Sequence, residues 1–279
     1  MEGSNELQEH AKLLVDPAQC EAALKHLVKK KNTYPDLGWL LWNTFGSVLS
    51  LLKVVFSGYS LIDTKSLSWD DSTRICNALS LLEAVATEPR TVIWFIKAHL
   101  PIYLYPLLTT KDSTREFEYV RLTGLGVVGA ILKTGNKDAT AFLISTEITP
   151  LILYVIERCS DLSKTVSLFI LHQLLCEKTG IDHICADEEL LMKVVHVLNE
   201  TATDQIEAEA KNARIIKAAF KCYSELFKNK EKGRLAHKTT SKEFLNDKLI
   251  LKLLHEEEIS LLPYIDISFY AEKLECNGK

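Results

Sequence analysis

The 279-residue sequence predicts an all-α protein built as a solenoid of helical repeats. Apolar residues recur at intervals of three and four almost everywhere, the period of one helix face, while strict alternation over a strand length is scarce. Four blocks of similar pattern begin at Arg74, Arg121, Lys164 and Arg214, giving spacings of 47, 43 and 50 residues. Helix breakers separate them: Pro35, Pro89, Pro101, Pro106 and Pro150 punctuate the apolar runs, and Gly58, Gly135-Asn136 and Gly180 are read as turns or helix ends.

In chain order, residues 1–20 form a polar, acidic first segment or helix, "MEGSNELQEHAKLL". Residues 21–242 form the repeat domain. Its blocks "RICNALSLLEAVATEP", "RLTGLGVVGAILKTGN", "KTVSLFILHQLLCEKTG" and "RIIKAAFKCYSELFKNK" each start with a basic residue, carry apolar residues at matching offsets and end polar. The second and third follow similar lead-ins, "FIKAHLPIYLYPLL" and "FLISTEITPLILYVIE", each an apolar helix interrupted by proline. The period is near that of armadillo and HEAT repeats. Such a unit cannot bury its own apolar face, so neighbours stack into one continuous core and offer an extended surface to partners. Lys228 to Lys242 is basic and weakly periodic, an exposed connection; residues 243–279, with Pro263 between two helical stretches, are read as capping helices and a tail.

Composition narrows the function. Hydrophobic residues are 47% and charged residues 25%, an ordinary balance for a folded protein. A net charge of −4 provides no global basic field to attract nucleic acid or anionic lipid. Seven scattered cysteines, an odd number within apolar pattern, point to a reducing compartment, and the expected location is cytoplasmic and nuclear. No stretch has 18 uninterrupted apolar residues, so no membrane partner is expected.

Gly124, Gly126 and Gly129 match the dinucleotide-binding spacing G-x-G-x-x-G, with "EFEYV" and "AFLIS" as candidate strands and Glu147 as the ribose-binding acid. The intervening helix defeats this reading. A helix starting at the last glycine would meet Gly135-Asn136 within about two turns, too short for a crossover. Residues 117 to 134 instead read as one helix. Val120, Leu125, Val127, Val128, Ile131 and Leu132 occupy one sector; Tyr119, Leu122, Thr123, Gly126, Gly129 and Ala130 occupy the other. Three interior glycines cost roughly 3 kcal/mol relative to alanine, so close approach by a neighbouring repeat or a bound peptide is expected at Gly126 and Gly129.

"LLWNTFGSVLSLL" from Leu40, "RICNALSLLEAVATEPRT", "HLPIYLYPLL", "FEYVRLTGLGVVGAILKT", "STEITPLILYVIE" and "LSKTVSLFILHQLL" resemble the family called required for cell differentiation. That family is the armadillo-repeat subunit of the CCR-NOT deadenylase complex. The resemblance runs in order from about Ala23 to Cys185. It implies an armadillo-repeat solenoid, a right-handed superhelix without enzymatic activity or cofactor. The implied partners are the NOT scaffold subunit and helical peptide motifs of RNA-binding or silencing proteins, with pairing of two copies a further option. Groove positions carried over from the family are Asn43, Phe45, Tyr119, Leu122, Gly126, Thr165 and Val166, with Asn43 standing where relatives often have histidine. Three of these, Tyr119, Leu122 and Gly126, also share the helix face derived above.

The sequence departs from the family pattern after "HIC", where Glu188 and Leu190 stand in place of a tyrosine and an arginine, and at Glu116, usually proline. The last forty residues fit poorly. The alternative function is a solenoid that binds nucleic acid through local basic patches, "LVKKK" at Leu27 to Lys31 and the Lys228 to Lys242 segment. His172, Cys176, His183 and Cys185 lack the close pairs of a zinc site and read as structural, and no catalytic motif emerges. Trp39, Trp42, Trp69 and Trp94 are expected to be core anchors.

Overall fold

A computed structural model describes residues 2–208 and 212–228. The predicted exposed connection beyond Lys228 and the capping helices at 243–279 lie outside the described residues. Among those described there are fourteen α-helices, one 3-10 turn and no strand. No single described helix is long and apolar enough to cross a membrane. The chain divides into two compact units, residues 1–173 and 174–279.

The first unit runs through α1 (Glu2–Leu13), α2 (Cys20–Lys30), α3 (Leu37–Asn43), α4 (Ser47–Asp63), α5 (Trp69–Thr87) and α6 (Val92–Lys97). A 3-10 turn (Leu100–Leu104), α7 (Tyr105–Leu108), α8 (Arg115–Lys133), α9 (Lys137–Ser145) and α10 (Ile148–Arg158) follow, and α11 (Asp161–Cys176) leads into the second unit. Local chemistry starts several of these helices. The Ser68 hydroxyl accepts from the Asp71 amide ahead of α5, with Asp70 and Asp71 in the first turn, where carboxylates favour the helix dipole. Asn136 caps α9 in the same way through the Ala139 amide. Gly135, at φ +65°, closes α8, so the predicted Gly135-Asn136 break is where the helix ends.

Both proline-interrupted lead-ins break at a residue preceding the proline. His99 (φ 57°) ahead of Pro101 and Glu147 (φ 62°) ahead of Pro150 adopt left-handed backbone, and each heads the next helical segment. Gly58 departs from expectation. It lies buried inside α4, not at a turn, and an added Cβ would stand 2.8 Å from Ile75 Cδ1, so this glycine seats α4 against α5.

The core of the first unit centres on α5, which packs against α2, α3, α4, α6 and α8. All six residues of the predicted apolar sector of α8 are buried, at 5% exposure or less. Arg121, on the same helix, is 1% exposed. Its guanidinium donates to the carbonyls of Leu108 (3.2 Å), Thr110 (2.7 Å) and Asp112 (2.8 Å) and pairs with Glu118. Glu118 in turn accepts from the hydroxyls of Ser160 and Ser163. The basic residue that opens this block therefore ties α8 to the stretch of chain preceding it and, through Glu118, to the start of α11.

Three of the four tryptophans expected in the core lie at the surface, and the fourth, Trp42, is half-buried. Trp39, Trp69 and Trp94 are 39%, 45% and 55% exposed, and each carries a cation on its face: Arg90, Arg115 and Lys97 respectively. A stacked cation covers indole surface without burial in the core, so hydrophobicity alone misassigns these positions.

In the second unit, α12 (Lys178–Ala186), α13 (Glu188–Glu207) and α14 (Ala213–Lys228) pack in sequence. Gly180 falls in the first turn of α12, where a Cβ would strike the Leu174 carbonyl. Asp187 caps α13 by accepting from the amides of Glu189 and Leu190. One face of α14 buries Ile215, Ile216, Ala219, Phe220, Tyr223 and Phe227, and the Tyr223 hydroxyl donates to Asn199 Oδ1 at 2.8 Å. Cys185 is buried, whereas Cys176 and His183 are exposed.

Candidate functional site

Helices α5, α8 and α11 run side by side in parallel. The Trp69 ring stacks on Tyr119, with centroids 5.5 Å apart and planes 16° apart, and seven residues further along α5 the Cys76 thiol receives the Thr123 hydroxyl at 3.2 Å. On the other side of α8, Glu118 meets Ser163 near the helix starts, and Gly129 meets Phe169 and Ile170 further on. Interpolating that register sets Thr165 and Val166 of α11 beside Leu122 of α8. Tyr119, Leu122 and Gly126 thus lie on α8 with Thr165 and Val166 at the corresponding level of α11, and together they make the candidate strip of the first unit.

The strip has a defined relief. Tyr119 is 40% exposed and Trp69 beside it 45%, with the Arg115 guanidinium 5.0 Å above the indole. Leu122, Gly126, Thr165 and Val166 are half-buried. Burial raises the Tyr119 phenol pKa above its usual value, so the ring offers a neutral hydroxyl at neutral pH. The Cys76 thiol at the edge of the strip is pushed up to about 11 by burial and is inert as a nucleophile near neutrality.

The three glycines separate into three roles. A Cβ on Gly124 would stand 2.9 Å from Leu108 Cδ2, so this position admits α7. One on Gly129 would make ordinary contact, 3.7 Å, with Phe169 and Ile170 of α11. One on Gly126 meets nothing within 4 Å. Gly126 is therefore the glycine whose missing side chain leaves open space at the surface. Since the helix gains nothing internal from it, Gly126→Ala is expected to raise unfolding free energy by about 0.5–1 kcal/mol, read as a higher urea midpoint.

Asn43 and Phe45 occupy a different setting. They line a pocket of about 600 Å³ at the α3–α4 corner with Val15, Trp42, Leu49 and Lys53, and its walls include none of the other five residues. Asn43 Nδ2 donates to the Trp39 carbonyl at 2.8 Å, and Phe45 is 95% exposed. Gly46, at φ +79°, makes the corner and projects Phe45 outward. At the departures from the family pattern, Glu188 is exposed and Leu190 half-buried at the start of α13.

The family model "Cell differentiation family, Rcd1-like" matches residues 12–264. The chain belongs to this family. It is 38% identical over 244 residues to "Cell differentiation protein rcd1" of Schizosaccharomyces pombe, covering 88% of this chain and 85% of that protein. It is 40% identical over 217 residues to "Protein CAF40" of Saccharomyces cerevisiae, covering 78% of this chain and 58% of that protein. Family membership spans both units, including the strip and the corner pocket. Sequence reading missed Trp69 and Arg115 as strip residues. Their signal was Trp69 beginning a helix, at a position where it projects past the core, about one block length before Tyr119.

Proposed function

We propose that the chain is a non-enzymatic adaptor of the CCR-NOT deadenylase complex, docking on the NOT scaffold subunit and receiving helical peptides from RNA-binding or silencing proteins. In this reading it promotes deadenylation, decay and translational repression of messenger RNA in the cytoplasm and nucleus. Family membership supports the complex, and the observation that carries peptide binding is the open space over Gly126. An amphipathic helix buries anchors spaced three or four residues apart. A floor at Gly126, half-buried Leu122 and Val166 alongside, and an aromatic wall of Trp69 and Tyr119 suit such anchors.

The test fills the floor. Gly126→Trp is expected to leave the helical circular dichroism spectrum and retention of a NOT scaffold fragment intact while weakening peptide binding tenfold or more. Normal peptide binding by that variant would remove the groove assignment. Failure to retain the scaffold fragment, by either protein, would remove the docking assignment independently.

A second reading, direct nucleic-acid binding, draws on the exposed Trp69–Tyr119 stack with Arg115 above it, since bases stack on such platforms. The other basic patch is partly neutralised, because Lys31 pairs with Glu83 at 2.8 Å. Binding that weakens steeply with added salt would favour this reading over the peptide groove.

A further inference from the structure

We propose that the α8 strip takes an amphipathic helix with an acidic side chain at each end of its apolar face, and that Arg115 and Lys133 pair with those two carboxylates. The inference rests on the peptide-groove reading and adds to it the charge and spacing of the ligand. At 100° per residue, Arg115, Leu122, Gly126 and Lys133 fall within about 40° of one another on α8, so one line of the strip runs cation, leucine, open floor, cation. The rise of a helix separates the two cations by about 27 Å, with Gly126 about 16 Å from Arg115 and about 10 Å from Lys133. Each cation is set on a ring of a neighbouring helix. The Arg115 guanidinium lies 5.0 Å from the centre of the Trp69 ring of α5, and Lys133 Nζ 5.0 Å from that of Phe169 of α11.

Among the described residues, neither cation has an ion pair or a hydrogen bond. Glu118, three residues beyond Arg115 and so within its reach along the helix, is committed to Arg121 and to the hydroxyls of Ser160 and Ser163. Lys133, in the last turn, favours the helix dipole and has a structural reason for its place. Arg115 has none of that kind, because a cation on the first residue of α8 opposes the dipole. Stacking on the indole holds the guanidinium in place while its donors face solvent, ordered before a ligand arrives. Between the cations the line is uncharged, with Leu122 half-buried and Gly126 open. A helix that buries apolar anchors there and carries an acid at each end is complementary in shape and in charge. Laid along α8 it has the same rise, so its acids fall about seven residues to one side of the residue seated on Gly126 and about eleven to the other, both on the anchor face.

The probe is a displayed library of amphipathic helices selected on the full chain. Leucine anchors are fixed at spacings of three and four, and positions about seven and about eleven residues from the central anchor, in either order, vary among Glu, Gln and Lys. Glu is expected to be enriched at both positions. Arg115→Glu is expected to turn the preference to Lys at the more distant position alone, and Lys133→Glu at the nearer one alone, whereas a disturbed fold would move both. For the best Glu peptide, reversing both charges is expected to weaken binding about tenfold, and Lys at both peptide positions to restore it. Selection that is lost on Gly126→Trp yet shows no acidic preference, or a preference unchanged by charge reversal, would overturn the acidic ends while the groove stands. Selection indifferent to Gly126→Trp, or none at all, would overturn both. A fluorescent oligouridylate that binds the wild type and not Arg115→Glu would give the cations to phosphates and likewise overturn the proposal.

Discussion

Arg121→Met is expected to lower the unfolding free energy by about 3–5 kcal/mol, the largest effect of any single substitution considered. The methionine fills much of the volume but donates nothing. Three backbone carbonyls, of Leu108, Thr110 and Asp112, lose a donor inside the first unit, and Glu118, 16% exposed at its side chain, loses its cation. A largely buried charge without its counter-ion costs more than the pair contributes, because the Ser160 and Ser163 hydroxyls that still donate to Glu118 do not neutralise it. Urea denaturation measures the loss, and a midpoint change equivalent to less than about 1 kcal/mol would reject the account. The double variant Arg121→Met with Glu118→Gln should recover part of the loss, since it removes the stranded carboxylate. Arg121→Lys retains charge but not the planar fork that reaches three carbonyls, so it should fall between wild type and Arg121→Met.

Gly38→Ala is expected to destabilise by about 3 kcal/mol through overpacking. Its Cβ would lie 2.1 Å from the Ala84 carbonyl oxygen and 2.8 Å from the carbonyl carbon. Both partners are backbone of packed helices, α3 and α5, so no rotamer relieves the clash and the helices must separate. The methyl group raises stability at Gly126 and lowers it at Gly38, although both glycines sit within helices and both substitutions improve intrinsic helix propensity. Thermal or urea unfolding of the two variants side by side decides the matter; a Gly38→Ala protein within about 0.5 kcal/mol of wild type would show that α3 yields freely. Because α3 carries Asn43 at its end, the same variant should also disturb the corner pocket, visible as changed fluorescence of Trp39 and Trp42.

The α8 helix shows how far the sequence carries. Its buried sector was legible because helical periodicity is local: Val120, Leu125, Val127, Val128, Ile131 and Leu132 face one way whatever lies opposite. Its C-terminal break was legible because Gly135-Asn136 supplies a left-handed closure and the cap of the next helix. The candidate strip was legible in part, through Tyr119, Leu122 and Gly126 on one helical face. Phe45 and Asn43 came from family resemblance, and their pocket arises from a corner that no periodicity describes. Gly58 was misread as a turn because a glycine inside a helix looks the same in sequence whether it ends the helix or admits a neighbour.

By itself, then, the sequence determined that the chain is helical, where most helices break, which face of α8 is apolar, and to which family it belongs. Only the tertiary structure decided which glycine faces open space, that Arg121 is buried as a clamp, and that three tryptophans lie outside under cations. The physical reason is one of range. Helix formation and facing depend on residues three and four apart, whereas the surroundings of a Cβ, a guanidinium or an indole are set by helices arriving from elsewhere in the chain.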